Sequence, residues 1–145
     1  MKTRKFILAL IVLTALSVAN STVVLAVPPS VIEPPEAVQP YWDNTSFVNV
    51  TLSFTGTTAN VGAVVRGFSG TSRITATAIL SRRNASGTFS TIQTWRNLSA
   101  DGTMLTFSDT HAVTRGYTYR LTINANVTRN GSTEAVSNWI DRALQ

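Results

Sequence analysis

The chain has 145 residues, no cysteine, a single histidine and a formal charge of +5. The missing cysteines exclude a disulfide framework, a thiolate nucleophile, a thiolate metal site and a lipid anchor on cysteine. Lys2, Arg4 and Lys5 carry the early charge, and beyond them nine Arg face seven acidic residues, a balance too weak for the concentrated basic patch of a nucleic-acid binder.

Met1 to Lys5 reads as a basic n-region, and Phe6 to Val18 as an apolar h-region. Val24-Leu25-Ala26 presents residues that a signal peptidase reads, so residues 1–26 are expected to be a signal peptide cleaved after Ala26. Ser17-Val18-Ala19 is a second cleavage candidate. An uncleaved anchor running to Val27 is the alternative, although Asn20, Ser21 and Thr22 interrupt the roughly 20 apolar residues a spanning helix needs. The expected location is secreted or extracellular.

All five prolines (Pro28, Pro29, Pro34, Pro35 and Pro40) fall in the next stretch. Residues 27–44 therefore read as an extended Pro-rich linker or arm, at about 3.1 Å per residue where polyproline II forms. The remaining chain, 45–145, has no proline, as strands that donate to a ladder require.

Seven strands follow. Val48, Val50, Leu52 and Phe54 alternate with polar neighbours and mark the first; Ala59, Val61, Ala63 and Val65 mark the second; Ile74, Ala76, Ala78 and Leu80 mark the third. Phe89 to Arg96 is a fourth with a less regular pattern, Asn97 to Gly102 a turn, Thr103 to Ser108 a short fifth, and Asp109 to Gly116 a connection. The sixth, Tyr117 to Thr128, alternates strictly, so its apolar side chains share one face. Asn130-Gly131 suits a type I′ hairpin turn into the seventh, Ser132 to Ile140. Short strands about 8 to 12 residues apart, without helical periodicity, predict an all-β antiparallel sandwich. A small closed barrel is also compatible. Tyr117 or Tyr119 is placed to bond back to the preceding connection as a tyrosine corner.

Tyr41-Trp42-Asp43-Asn44-Thr45, Leu52-Ser53-Phe54-Thr55-Gly56, Ile74-Thr75-Ala76-Thr77 with Leu80 and Arg82, Trp95, and Gly116-Tyr117-Thr118-Tyr119-Arg120-Leu121 with Asn130-Gly131 and Glu134 together resemble a family of small secreted proteins from Gram-positive bacteria, of unknown function. The last two strands also resemble immunoglobulin-like and fibronectin type III sandwiches. The resemblance covers about residues 41–140 and implies fold and location. Relatives often carry a cysteine where Val61 stands here, so no disulfide is implied. The family offers no catalytic residues to transfer.

Chemistry is sparse. His111 is the only histidine, and with Ser108 and Asp109 it makes the one grouping that suggests a small hydrolase. A zinc site wants three or four protein ligands. Asp43, Asp101, Asp109, Glu134 and Asp141 fall in apparent turns or ends, and Gly67 and Gly70 lack the following helix of a phosphate loop. An enzyme is not expected, and the reading calls for no cofactor and no metal. Seven Asn-x-Ser/Thr sequons, at Asn20, Asn44, Asn49, Asn84, Asn97, Asn126 and Asn130, reflect the Ser/Thr/Asn-rich composition in a bacterium and glycosylation in a eukaryotic secretory pathway. Two binding surfaces remain. Trp95 with Trp42 or Trp139 suits stacking on sugar rings. Outward arginines, Arg120 among them, suit an anionic wall polymer. The leading expectation is an extracellular, non-enzymatic binding or structural module, with a cell-envelope glycan or a protein as the possible partner and no nucleic acid.

Overall fold

The computed structural model describes residues 41–145. The expected signal segment 1–26, residues 27–40 of the Pro-rich stretch and the sequon at Asn20 lie outside the described residues. The described part is all-β, with seven antiparallel strands and no helix among the described residues. They are β1 (Thr45–Thr55), β2 (Thr58–Gly67), β3 (Thr71–Arg83), β4 (Phe89–Asp101), β5 (Met104–Ala112), β6 (Tyr117–Arg129) and β7 (Ser132–Leu144). One sheet has the order β1-β2-β5 and the other β4-β3-β6-β7.

The alternation along each strand decides the layering. On β6, Tyr119, Leu121, Ile123, Ala125 and Val127 are buried, while the residues between them point to the other face. They meet Ile74, Ala78 and Leu80 of β3 beneath Val48, Val50, Leu52, Ala59, Val61 and Val65 of the facing sheet, in one core cluster. Small alanines, at 59 and 63 on β2 and at 76, 78 and 125 on the four-stranded sheet, share this core with the larger Leu80, Tyr119 and Leu121, as close packing of two sheets requires.

Two side-chain bridges close the flanks of the sandwich. Asn138 Nδ2 on β7 donates to the Val48 carbonyl on β1 at 2.9 Å. Trp95 Nε1 on β4 donates to Asp109 Oδ2 on β5 at 2.7 Å. Each bridge covers strand edges that would otherwise present unpaired groups to another chain.

Several local expectations hold. Arg129 pairs with Ser132 across a turn whose central residues, Asn130 and Gly131, both have positive φ, 49° and 81°. The buried Tyr119 hydroxyl accepts from the Thr114 N–H at 2.9 Å and donates to the Thr114 carbonyl at 2.7 Å. Tyr117, the other candidate, is instead exposed, with the Arg82 guanidinium 4.5 Å from its ring centroid.

Three strands run longer than their patterns. The expected turn at 97–102 is largely strand: Asn97 sits at φ 58° in a bulge between the Ala78–Trp95 and Ala76–Leu98 pairs, after which pairing resumes to Asp101. The expected connection at 109–116 is strand as far as Ala112, because Asp109, Thr110, His111 and Ala112 all pair with β2. β7 continues past Ile140 to Leu144, paired with Tyr117. The first residues also belong to the folded body: Trp42 packs on the core, and Asn44 is buried, donating to the carbonyls of Val127 and Ser132, both at 3.2 Å.

Candidate functional site: the outer face of the four-stranded sheet

The three tryptophans do not share a face. Trp95 pairs opposite the fully buried Ala78, so it points inward; its ring tilts onto Phe107 at a centroid distance of 5.4 Å and stands edge-on to His111 at 6.4 Å. Trp42 is partly buried against the core. Trp139 pairs opposite Thr122, between the inward-facing Leu121 and Ile123, and is therefore on the outer face, 54% exposed. Of the sequence candidates, the fold brings together only Trp139 and Arg120.

Arg120 explains how Trp139 is held. The row Thr91, Ser81, Arg120, Asp141 crosses the sheet from β4 to β7. Phe89 lies beyond this row on one side, and Trp139 lies beyond it on the other. The guanidinium carbon consequently sits between two rings, 4.2 Å from the Phe89 centroid and 4.0 Å from that of Trp139. Its flat fork faces Asp141: Nε to Oδ1 at 2.7 Å and Nη2 to Oδ2 at 2.8 Å. The hydrogen bond with Asp141 raises the Arg120 pKa, against a lowering from burial, and the carboxylate charge raises it further. The cation is thus permanent but engaged on both faces and along one edge. Arg120, expected as a direct ligand contact, lies against Trp139 on one face and Phe89 on the other and is bonded to Asp141 along one edge. A lysine has neither the planar fork nor the stacking faces to replace it.

Beside this cluster the same face carries an open groove of about 600 Å³. Thr75 and Thr77 of β3, Asn97 and Ser99 of β4, Asn124 and Asn126 of β6 and Ser137 of β7 line it, with Arg73 as its charged member. The Ser137 hydroxyl donates to Asn124 Oδ1 at 2.8 Å, which orients the carboxamide and leaves its NH₂ group as a donor. Ser137 is two residues from Trp139 along β7, so groove and ring are neighbours on one face, about 7 Å apart. No local pattern separates these Thr and Asn residues from the ordinary polar face of a sheet, so the groove is not legible in the sequence.

Two of the residues that suggested a hydrolase, Asp109 and His111, lie against Trp95. Asp109 Oδ2 accepts from Trp95, and Oδ1 accepts from the Thr110 N–H at 2.7 Å. His111 packs against the Trp95 ring. Among the described residues no group of three or more His, Cys, Asp or Glu side chains gathers where it would hold a metal ion. Glu134 organises the chain entry: its carboxylate accepts from the N–H of Asp43 at 2.7 Å, the N–H of Asn44 at 3.0 Å and the Thr45 hydroxyl at 2.8 Å.

No family model matches the chain, and no curated protein does. Among solved structures it is similar to Spo0M, a sporulation control protein from Bacillus subtilis, at 13% identity and a TM-score of 0.49. The match covers 72% of this chain, which spans half the length of that protein's chain.

Proposed function

We propose that this protein is a non-enzymatic, extracellular binding module, and that the outer face of its four-stranded sheet is the working surface. One observation carries the reading: a large aromatic ring, Trp139, stands more than half exposed while a sandwiched guanidinium fixes it in place. Leaving such a ring in water is unfavourable, and fixing it makes it available for stacking without further ordering cost. The extracellular placement rests on the signal-peptide pattern of residues 1–26.

We also read the sandwich as immunoglobulin-like, of fibronectin type III kind. The strand order β1-β2-β5 against β4-β3-β6-β7 and the Tyr119 bond to Thr114 support that type.

A second reading names the ligand as carbohydrate, favoured by the hydroxyl- and amide-lined groove next to Trp139. The test is retention of the protein on an envelope polysaccharide preparation in moderate salt, beside Trp139→Ala. Retention that the variant loses is the expected result. Equal retention of both contradicts the assignment of this face.

A further inference from the structure

We propose that the groove beside Trp139 takes a linear, uncharged polysaccharide laid across the four strands. This rests on the carbohydrate reading above and adds the ligand's charge, shape and course.

Charge is the first argument. The polar part of the groove's lining is hydroxyl and carboxamide groups, each able to donate and accept as sugar hydroxyls do, and Ala76, Leu98, Ala125, Ala135 and Val136 supply the apolar remainder. Its one charged residue, Arg73, lies 3.6 Å from the Asp101 carboxylate, and both side chains are largely in water. The neighbouring Arg120 is held by Asp141. Within the lining an anionic chain meets one cation, Arg73, which already faces a carboxylate, and the exposed Arg96 stands outside the lining beside Asn97, while a neutral chain meets no desolvated charge.

Shape is the second. The lining residues lie on all four strands, from Asn97 on the β4 edge to Ser137 on the β7 edge. Three interstrand spacings amount to about 14 Å, longer than one sugar ring. The groove runs across the outer face from one edge strand to the other, which suits the interior of a chain as well as its end. Trp139 stands at the β7 side, with one ring face covered by Arg120 and the remainder exposed, placed to stack on a ring as the chain leaves the groove.

Preorganisation is the third. Ser137 holds the Asn124 carboxamide, and the bulge at Asn97 bends β4 locally and re-aims Asn97 and Ser99. Such fixed polar groups give orientation at low ordering cost.

The test is calorimetric titration of the protein with soluble neutral oligosaccharides, cello-, xylo- and manno- series from a single ring to a hexasaccharide, beside oligogalacturonates of equal length. For at least one neutral series, affinity rises with length and levels off once the groove is spanned, and raising the salt leaves it unchanged. Asn124→Ala weakens binding by roughly three- to tenfold, the value of one hydrogen bond, and Thr77→Arg abolishes it by filling the groove. Melting curves identify any variant that fails to fold, and Asn124→Ala, at an exposed side chain, keeps the test open. Tighter, salt-sensitive binding of oligogalacturonate overturns the inference, as does the absence of binding by every neutral series. Full affinity in both groove variants overturns the placement. In each of these cases, Trp139-dependent retention on envelope polysaccharide would still stand for the broader reading.

Discussion

Trp95 and Asp109 are bonded to each other, Nε1 to Oδ2 at 2.7 Å, across the flank where β4 meets β5. The ring that suggested a sugar platform and the acid that suggested a hydrolase are two halves of one structural bridge. With its ring on Phe107, Trp95 stabilises the sandwich by burial as well. Urea denaturation of Trp95→Ala should show a loss of about 2–3 kcal/mol, and Asp109→Ala about 1 kcal/mol. The double variant should lose less than the sum, because the shared bond is counted in each single variant. Strict additivity would contradict the bridge.

Glu134 gives the domain an acid-sensitive clasp. Burial by itself would raise its pKa, but the bonds from the Thr45 hydroxyl and the N–H groups of Asp43 and Asn44 outweigh it, and the net shift is downward from 4.5. A carboxyl depressed in the folded state contributes stability that is fully present above its unfolded value and is lost as pH falls through the folded value. Glu134→Gln should therefore cost stability near neutral pH, and the gap from wild type should narrow as the pH falls below the ordinary glutamate value of 4.5. Urea midpoints at neutral and acid pH measure this, and a gap that does not change with pH would rule the clasp out.

Tyr119 ties β6 to the connection before it. Its ring is 1% exposed, and both hydroxyl bonds go to Thr114. Tyr119→Phe keeps the ring and removes both bonds, with an expected loss of about 1–2 kcal/mol. Faster amide exchange at Thr114 should accompany it. Unchanged exchange there would mean that the bond does not restrain the loop.

Asp141 should matter more to binding than to folding. Its pair with Arg120 is partly exposed, and such pairs contribute roughly 1 kcal/mol or less. Asp141→Ala should leave the melting curve nearly unchanged, yet broaden the Trp139 indole resonance and weaken polysaccharide retention by releasing the guanidinium that holds the ring. A sharp, unshifted indole signal in the variant would show that Trp139 is fixed by something else.

The strands and their facing were legible where alternation was strict, as on β6, and where turn chemistry was specific, as at Asn130-Gly131. The facing of Trp95 was not. Two register shifts, between Ala76 and Ala78 and between Leu80 and Ser81, interrupt the pairing of β4, and each one-residue slip exchanges inward for outward. Asn97 read as a turn because asparagine tolerates positive φ, which a bulge uses equally well. The Arg120 sandwich depends on Phe89, thirty-one residues upstream on the edge strand β4, and no local pattern reports that proximity. The groove was hidden for a related reason: threonines on a wet sheet look alike whether the sheet is flat or bent.

We propose the outer face of the four-stranded sheet as the binding surface. The most direct measurement is nitrogen-15 chemical-shift mapping of the protein during titration with solubilised envelope polysaccharide. Shifts are expected at the Trp139 indole, Thr122, Asn124 and Thr77, and none at Thr51, Gly62 and Ser108, which share a row on the opposite sheet. Shifts confined to that opposite row, or to the Trp95 flank, would contradict this assignment.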